Sequence, residues 1–167
     1  MEALELAIKM EEDGKAFYTA ASRKTTDALG KELLLQLADE EDYHAVKARQ
    51  IYDALKRNDA AEVELALDKG KRIKHIFAKA AQDMHTKVEV ASTVMESIEL
   101  ALDMEEKSRK FYEEHSKNAS NDQVKKFLGS LALEERGHYV ALADYSEYLT
   151  DTAGWLRKAE HLSLDGG

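Results

Sequence analysis

The chain has 167 residues, 34% of them charged and 44% hydrophobic, with a net charge of −9, no proline and no cysteine. That length suits one domain with a sizeable core, and that composition suits a soluble helical protein. The absent cysteines exclude disulfides, thiolate zinc sites, cysteine-ligated iron–sulfur centres and a cysteine nucleophile, and an acidic balance with no compensating basic block argues against a nucleic-acid partner.

Helical periodicity begins at once, and a first helix is predicted over about residues 2–23. Lys24-Thr25-Thr26 is a short connection, and Asp27 has the chemistry of an N-cap, a carboxylate able to accept from free backbone N–H groups. The second helix runs to about Arg57, where Asn58-Asp59 interrupts it. A shorter helix is expected at roughly 61–84, with Ile73, Ile76, Phe77, Ala80, Ala81 and Met84 on one stripe. The basic run at 69–74 reads as a solvated face. Thr93-Val94-Met95-Glu96 has the form of a capping box, so the third long helix spans about 93–118. Asn121 caps the fourth, about 122–149, and residues 151–167 form a tail that starts as helix. No apolar stretch approaches the ~18 residues of a membrane span. The N-terminus lacks the basic and apolar regions of a signal peptide, and a cytoplasmic protein is expected.

Connection lengths set the topology. Short turns make helices one and two, and helices three and four, antiparallel pairs. About 35 residues separate the pairs, enough for a partly helical crossover to return along a helix of ~45 Å. The expected fold is an all-α four-helix bundle over 1–150. Its halves, 1–57 and 93–149, are joined by a long crossover over 58–92 that carries the extra short helix, and 151–167 is a separate tail.

The two halves repeat one pattern without a gap. Glu11 is followed by Glu41-Asp42-Tyr43-His44, and Glu105 by Glu135-Arg136-Gly137-His138; 105−11, 135−41 and 138−44 all equal 94. Residues at ±3, ±4 and ±7 share a helix face. For Glu11 these are Leu4, Ala7, Ile8, Gly14, Lys15 and Tyr18, mostly apolar. For Glu12 they are Glu5, Ile8, Lys9, Lys15, Ala16 and Thr19, mostly polar, so Glu11 points inward and Glu12 outward. The same contrast separates Glu105 from Glu106. Glu41 sits among Leu34, Leu37, Ala38, Ala45 and Ala48, and Glu135 among Leu128, Leu131, Ala132 and Leu142. Burying four carboxylates is costly unless cations compensate, and two divalent metals would balance them. Oxygen-rich, imidazole-assisted coordination favours iron or manganese, with zinc admitted by availability. Each metal would take one histidine, one terminal carboxylate and one or two bridging carboxylates. Glu11, Glu41, His44, Glu105, Glu135 and His138 are therefore the candidate ligands and catalytic groups.

A single Glu-x-x-His on a helix is common and carries no meaning alone; its duplication with an inward glutamate 30 residues upstream (41−11 and 135−105) does. The competing reading is a purely structural polar core. His75, His85, His115 and His161 have no repeat partner and read as surface or packing residues. Phe17-Tyr18 and Phe111-Tyr112 read as core aromatics, with contact of Tyr18 and Tyr112 to the site the lesser alternative. Trp155 reads as a packing residue for the tail, and the methionines as core.

Met10-Glu11-Glu12-Asp13-Gly14-Lys15-Ala16-Phe17-Tyr18, Leu37 through His44, Met104 through Tyr112 and Leu131 through His138 resemble the rubrerythrin branch of the ferritin-like superfamily. The resemblance covers about 1–57 and 93–149. It implies that the six residues above ligate two irons. It also implies reduction of hydrogen peroxide, or of dioxygen, in oxidative-stress defence, and a homo-oligomer of two or more chains. Two departures from the family pattern matter. Full rubrerythrins carry a four-cysteine rubredoxin module, so here a rubredoxin-like protein or a reductase would be the external electron donor. The family also carries a glutamate one turn after the third-helix ligand, where this chain has Ser108. In the related bacterioferritins a methionine after the second-helix glutamate ligates haem; here Asp42 stands there. The leading expectation is a di-iron peroxidase. The alternatives are a ferroxidase feeding iron storage, a non-enzymatic metal-binding bundle and, as a lesser option, a hydroxylase.

Overall fold

The computed structural model describes residues 1–57 and 92–164. They form α1 (Glu2–Lys24), α2 (Ala28–Lys56), α3 (Ser92–Asn118), α4 (Asp122–Thr150) and α5 (Thr152–Leu164), and no strand occurs among them. The all-α expectation holds, and the four long helices begin and end within one residue of where periodicity and caps place them. The short helix expected at 61–84, with its apolar stripe, the basic run, His75 and His85, lies outside the described residues.

The caps expected at Asp27 and Asn121 form, whereas Thr93, expected to open a capping box, lies inside α3, which begins at Ser92. Asp27 accepts from the backbone N–H of Leu29 at 3.2 Å and of Gly30 at 2.8 Å. Asn121 accepts from Gln123 and Val124, each at 3.0 Å. Each satisfies donors that the first helical turn leaves without a carbonyl partner. At the other end of α1, Thr25 closes the last turn, its hydroxyl donating to the Ala21 carbonyl at 3.0 Å.

α1 packs along α2 and α3 along α4, giving two antiparallel hairpins that meet through α1 against α3 and α2 against α4. Two apolar clusters fill the bundle. One gathers Tyr18, Leu33, Leu37, Ile98, Leu142, Tyr145 and Tyr148. The other gathers Leu4, Ile51, Tyr112, Phe127, Leu128 and Leu131. Ile51 near the end of α2 belongs to one cluster and Ile98 near the start of α3 to the other, so α2 ends and α3 begins at opposite ends of the bundle. α5 docks on α4: Trp155 stands edge-on to Tyr148 with ring centroids 5.4 Å apart, the packing role expected of it. Of the methionines expected in the core, Met10 packs against the second cluster, Met84 lies outside the described residues, and the others are less buried than expected. Met10, Met95 and Met104 are half-buried and Met1 is exposed, because their positions fall at the margins of the stripes filled by Leu, Ile and Tyr. No described helix is long and apolar enough to cross a membrane.

Candidate metal centre

Between the two apolar clusters the helices place six polar side chains, none more than 4% exposed: Glu11, Glu41, His44, Glu105, Glu135 and His138. α1 supplies Glu11, α2 supplies Glu41 and His44, α3 supplies Glu105, and α4 supplies Glu135 and His138. All six residues singled out by the repeat converge. They form two overlapping groups, Glu11–Glu41–His44–Glu135 and Glu41–Glu105–Glu135–His138. Within each group one ligand-capable atom per residue lies within 4.8 Å of all the others. Glu41 and Glu135 belong to both groups. The two imidazoles lie nearly parallel, 16° apart, with ring centroids separated by 5.8 Å.

The electrostatics are those of a site short of positive charge. Burial and the Glu11 carboxylate push Glu41 well above the usual carboxylate range. Burial, Glu105 and Glu41 do the same to Glu135. Burial also opposes ionisation of Glu11 and Glu105, but the charge of His44 on one and of His138 on the other outweighs it, and both titrate low. His138 is held well above the ordinary imidazole value: its burial favours the neutral ring, and Glu105, Glu40 and Glu41 overcome that. Like charges this close cannot all ionise without a counterion, so the shared glutamates retain protons.

Three buried atoms of this cluster have no hydrogen-bond partner: Oε2 of Glu105, Oε1 of Glu135 and Nδ1 of His138. An unsatisfied buried polar group costs ~1–3 kcal/mol. All three belong to one group of potential ligands, and carboxylate oxygens with an imidazole nitrogen form the donor set that iron or manganese accepts. The residues present therefore fit a pair of divalent cations.

The tyrosines are both core and site. Tyr112 donates to Oε1 of Glu11 at 2.6 Å, and Tyr18 donates to Oε1 of Glu105. Each tyrosine of one half thus reaches the glutamate of the other, the reading given less weight from sequence. Glu12 points outward to Arg49 on α2, as expected. His115 packs on Phe111 with centroids 4.0 Å apart, an ordinary packing role.

Glu40 is the residue that sequence reasoning missed. It is 1% exposed, and its Oε2 accepts from Nε2 of His138 at 3.0 Å. Its other oxygen accepts from Gln36 at 2.8 Å. The signal was present: Leu33, Leu37 and His44 share its face at −7, −3 and +4. Gly14 is also part of the site. A Cβ there would stand 3.0 Å from Oε2 of Glu41, so the bare backbone leaves that carboxylate its place.

The family model for rubrerythrin matches residues 2–146. Among solved structures, a hypothetical protein from Pyrococcus furiosus superposes with a TM-score of 0.66 at 24% identity, covering 90% of this chain and 89% of that one. That likeness bears on fold alone, and it agrees with an all-α, ferritin-like bundle. A search of curated proteins returned no match.

Proposed function

This chain belongs to the rubrerythrin family, whose members are di-iron carboxylate proteins, and on that footing we propose that it is a di-iron oxidoreductase reducing hydrogen peroxide. The supporting observation is the pair of buried ligand groups that share Glu41 and Glu135. Glu11 and His44 would hold one iron, Glu105 and His138 the other, with Glu41 and Glu135 between them. When bound, the two irons supply two electrons and Lewis acidity to the O–O bond. The reaction takes up two protons and yields two waters.

The chain's own residues prepare that chemistry. The apolar clusters on either side keep bulk water from the centre. Tyr112 and Tyr18 hold one oxygen of Glu11 and of Glu105, leaving the second oxygen of each to face the cluster. Glu41 and Glu135 must give up the protons they hold in the metal-free site before they ligate, so metal uptake releases protons. With no cysteine in the sequence, electrons would arrive from a separate donor such as a rubredoxin-like protein or a reductase.

The test is iron content after anaerobic reconstitution, followed by stopped-flow oxidation of the reduced protein by peroxide and by dioxygen. Two irons per chain, with peroxide the faster oxidant, are expected. Fewer than two irons, or no reaction with peroxide under any reductant, would reject the reading. Faster oxidation by dioxygen, in a particle massive enough to be a cage, would transfer the protein to iron storage.

A further inference from the structure

Four oxidisable rings gather at one end of the bundle. Tyr18, Tyr145, Tyr148 and Trp155 belong to the same apolar cluster. Tyr145 and Tyr148 are stacked, 20° apart, with ring centroids separated by 6.2 Å. Trp155 stands edge-on to Tyr148 at 5.4 Å and is 8% exposed, so the series ends where solvent begins. At the inner end Tyr18 donates to Oε1 of Glu105. Tyr145 follows His138 by seven residues (145−138) on the same face of α4, about 10 Å along the helix axis.

The opposite end is built differently. Ile51 and Ala54 occupy the places of Tyr145 and Tyr148 in the repeat (145−94 and 148−94). Apart from Tyr112, the buried members of that cluster are aliphatic side chains and Phe127. A phenol that loses an electron also loses its proton, so a tyrosine donates electrons readily only beside a base within hydrogen-bond reach. Tyr145 has such a base: its hydroxyl donates to Oδ2 of Asp27 at 2.6 Å. Asp27 stands apart from the six candidate ligands, fixed by the backbone N–H groups of Leu29 and Gly30.

We propose that Tyr145, with Asp27 as its proton acceptor, is a one-electron reserve for the centre, and that Tyr148 and Trp155 connect it to small reductants in solution. The proposal rests on the di-iron peroxidase reading and concerns turnover that begins one electron short. Breaking the O–O bond of hydrogen peroxide to give two waters takes two electrons and two protons. The centre supplies the one electron it holds. Tyr145 supplies the other and becomes a neutral tyrosyl radical as its phenolic proton passes to Asp27; the two protons for water come from solvent. A one-electron reductant such as a thiol then gives an electron through Trp155 and Tyr148 and releases its own proton to solvent. Asp27 returns its proton, and Tyr145 is restored.

Trp155 is the single tryptophan, so light absorbed by tryptophan and not by tyrosine oxidises one known ring. Flash photolysis of the metal-free full chain, with a cobalt(III) ammine collecting the ejected electron, should show the tryptophanyl band converting into a tyrosyl band at a rate independent of protein concentration. Tyr148→Phe should lose most of that conversion. Asp27→Asn should lose it too, although α2 stays capped, since an asparagine caps α4 in the same way. A merely structural role would give no such loss in a variant whose helicity is unchanged. Should Asp27→Asn fail to fold, Tyr145→Phe carries the test by shortening the life of the tyrosyl species. Tyr52→Phe should change nothing. In the second arm the iron-loaded chain, reduced by one electron per pair of irons, is mixed with peroxide and frozen. A tyrosyl signal by electron paramagnetic resonance is expected, and Tyr145→Phe should remove it. A tryptophanyl radical that decays only by encounters between molecules, or a conversion indifferent to all three variants of the series, would overturn the proposal. So would a loaded chain with no tyrosyl signal, or with one unchanged by Tyr145→Phe; the two-metal reading would then stand. No iron bound at all would overturn both.

Discussion

The halves 1–57 and 92–150 carry the same ligands at the same spacing, but their surroundings are not copies. In the first half Asp27 caps α2 and also accepts a hydrogen bond from Tyr145 at 2.6 Å, a contact that crosses from α4. Gly30 makes room for it, since a Cβ there would overlap the tyrosine hydroxyl. In the second half Asn121 caps α4, while Val124 stands where Gly30 does (30+94) and Ile51 where Tyr145 does (145−94). Gly14 yields space to Glu41; its counterpart is Ser108. The metal-binding chemistry is thus two-fold, whereas the parts that hold it in place are tailored to each half.

The largest effect expected separates shared from unshared ligands. Glu41→Ala or Glu135→Ala should lose most bound iron and all peroxide reactivity, while Glu11→Ala or Glu105→Ala should retain about one iron per chain, because only the former remove a residue common to both groups. Iron content by elemental analysis distinguishes the two classes. Equal losses in all four variants would dissolve the distinction.

Removing metal should expose the next difference as a pH dependence. In the metal-free protein Glu41 and Glu135 titrate well above the ordinary 4.5, and His138 well above 6.5. Folded protein then binds more protons than unfolded above pH 4.5, so stability falls as pH rises through the raised values. Glu11 and Glu105 titrate low, so their contribution is lost as pH falls below 4.5. Metal-free Tm should therefore be highest in mildly acid buffer and drop towards neutral and alkaline pH. Metal replaces the protons on the shared glutamates and should flatten that decline. Scanning calorimetry across pH with and without metal measures it; a metal-free Tm that climbs from pH 5 to 8 would contradict the assigned protonation.

A smaller effect tests the asymmetric end. Gly30→Ala should destabilise by ~1–3 kcal/mol, since the new methyl group and the Tyr145 ring cannot both fit. Tyr145→Phe should cost only ~0.5–1.5 kcal/mol, the net value of one hydrogen bond. Adding Tyr145→Leu to Gly30→Ala should return part of the loss, visible as coupling in a double-mutant cycle by urea unfolding. The smallest expected change is at the centre. Gly14→Ala should crowd Glu41 and weaken metal affinity several-fold, whereas Ser108→Ala at the matching position should leave it unchanged. Parallel cobalt titrations compare the two.

Much of this was legible from residues alone because the signals are local. The helix ends followed from Asp27 and Asn121, and the six inward groups from the face each shares with Leu, Ile and Ala. What escaped depends on how helices meet. Tyr18 reaching Glu105, and Tyr112 reaching Glu11, need the register of α1 against α3, which no spacing within one helix encodes. Glu40 escaped because its face mixes Leu33 and Leu37 with Gln36 and Lys47, and only His138 on α4 makes its burial affordable. Gly14 and Gly30 are unremarkable in sequence, and only the neighbour that approaches each of them explains it.

The docking of α5 has a practical consequence. The sequence has one tryptophan, Trp155, and it lies against Tyr148 in the cluster that also holds Leu29 and Tyr145. Its intrinsic fluorescence is therefore a built-in reporter for a single end of the molecule. Emission that shifts to the red at a lower denaturant concentration than helicity disappears would show that end peeling away first, and the native chain could report it without any attached dye.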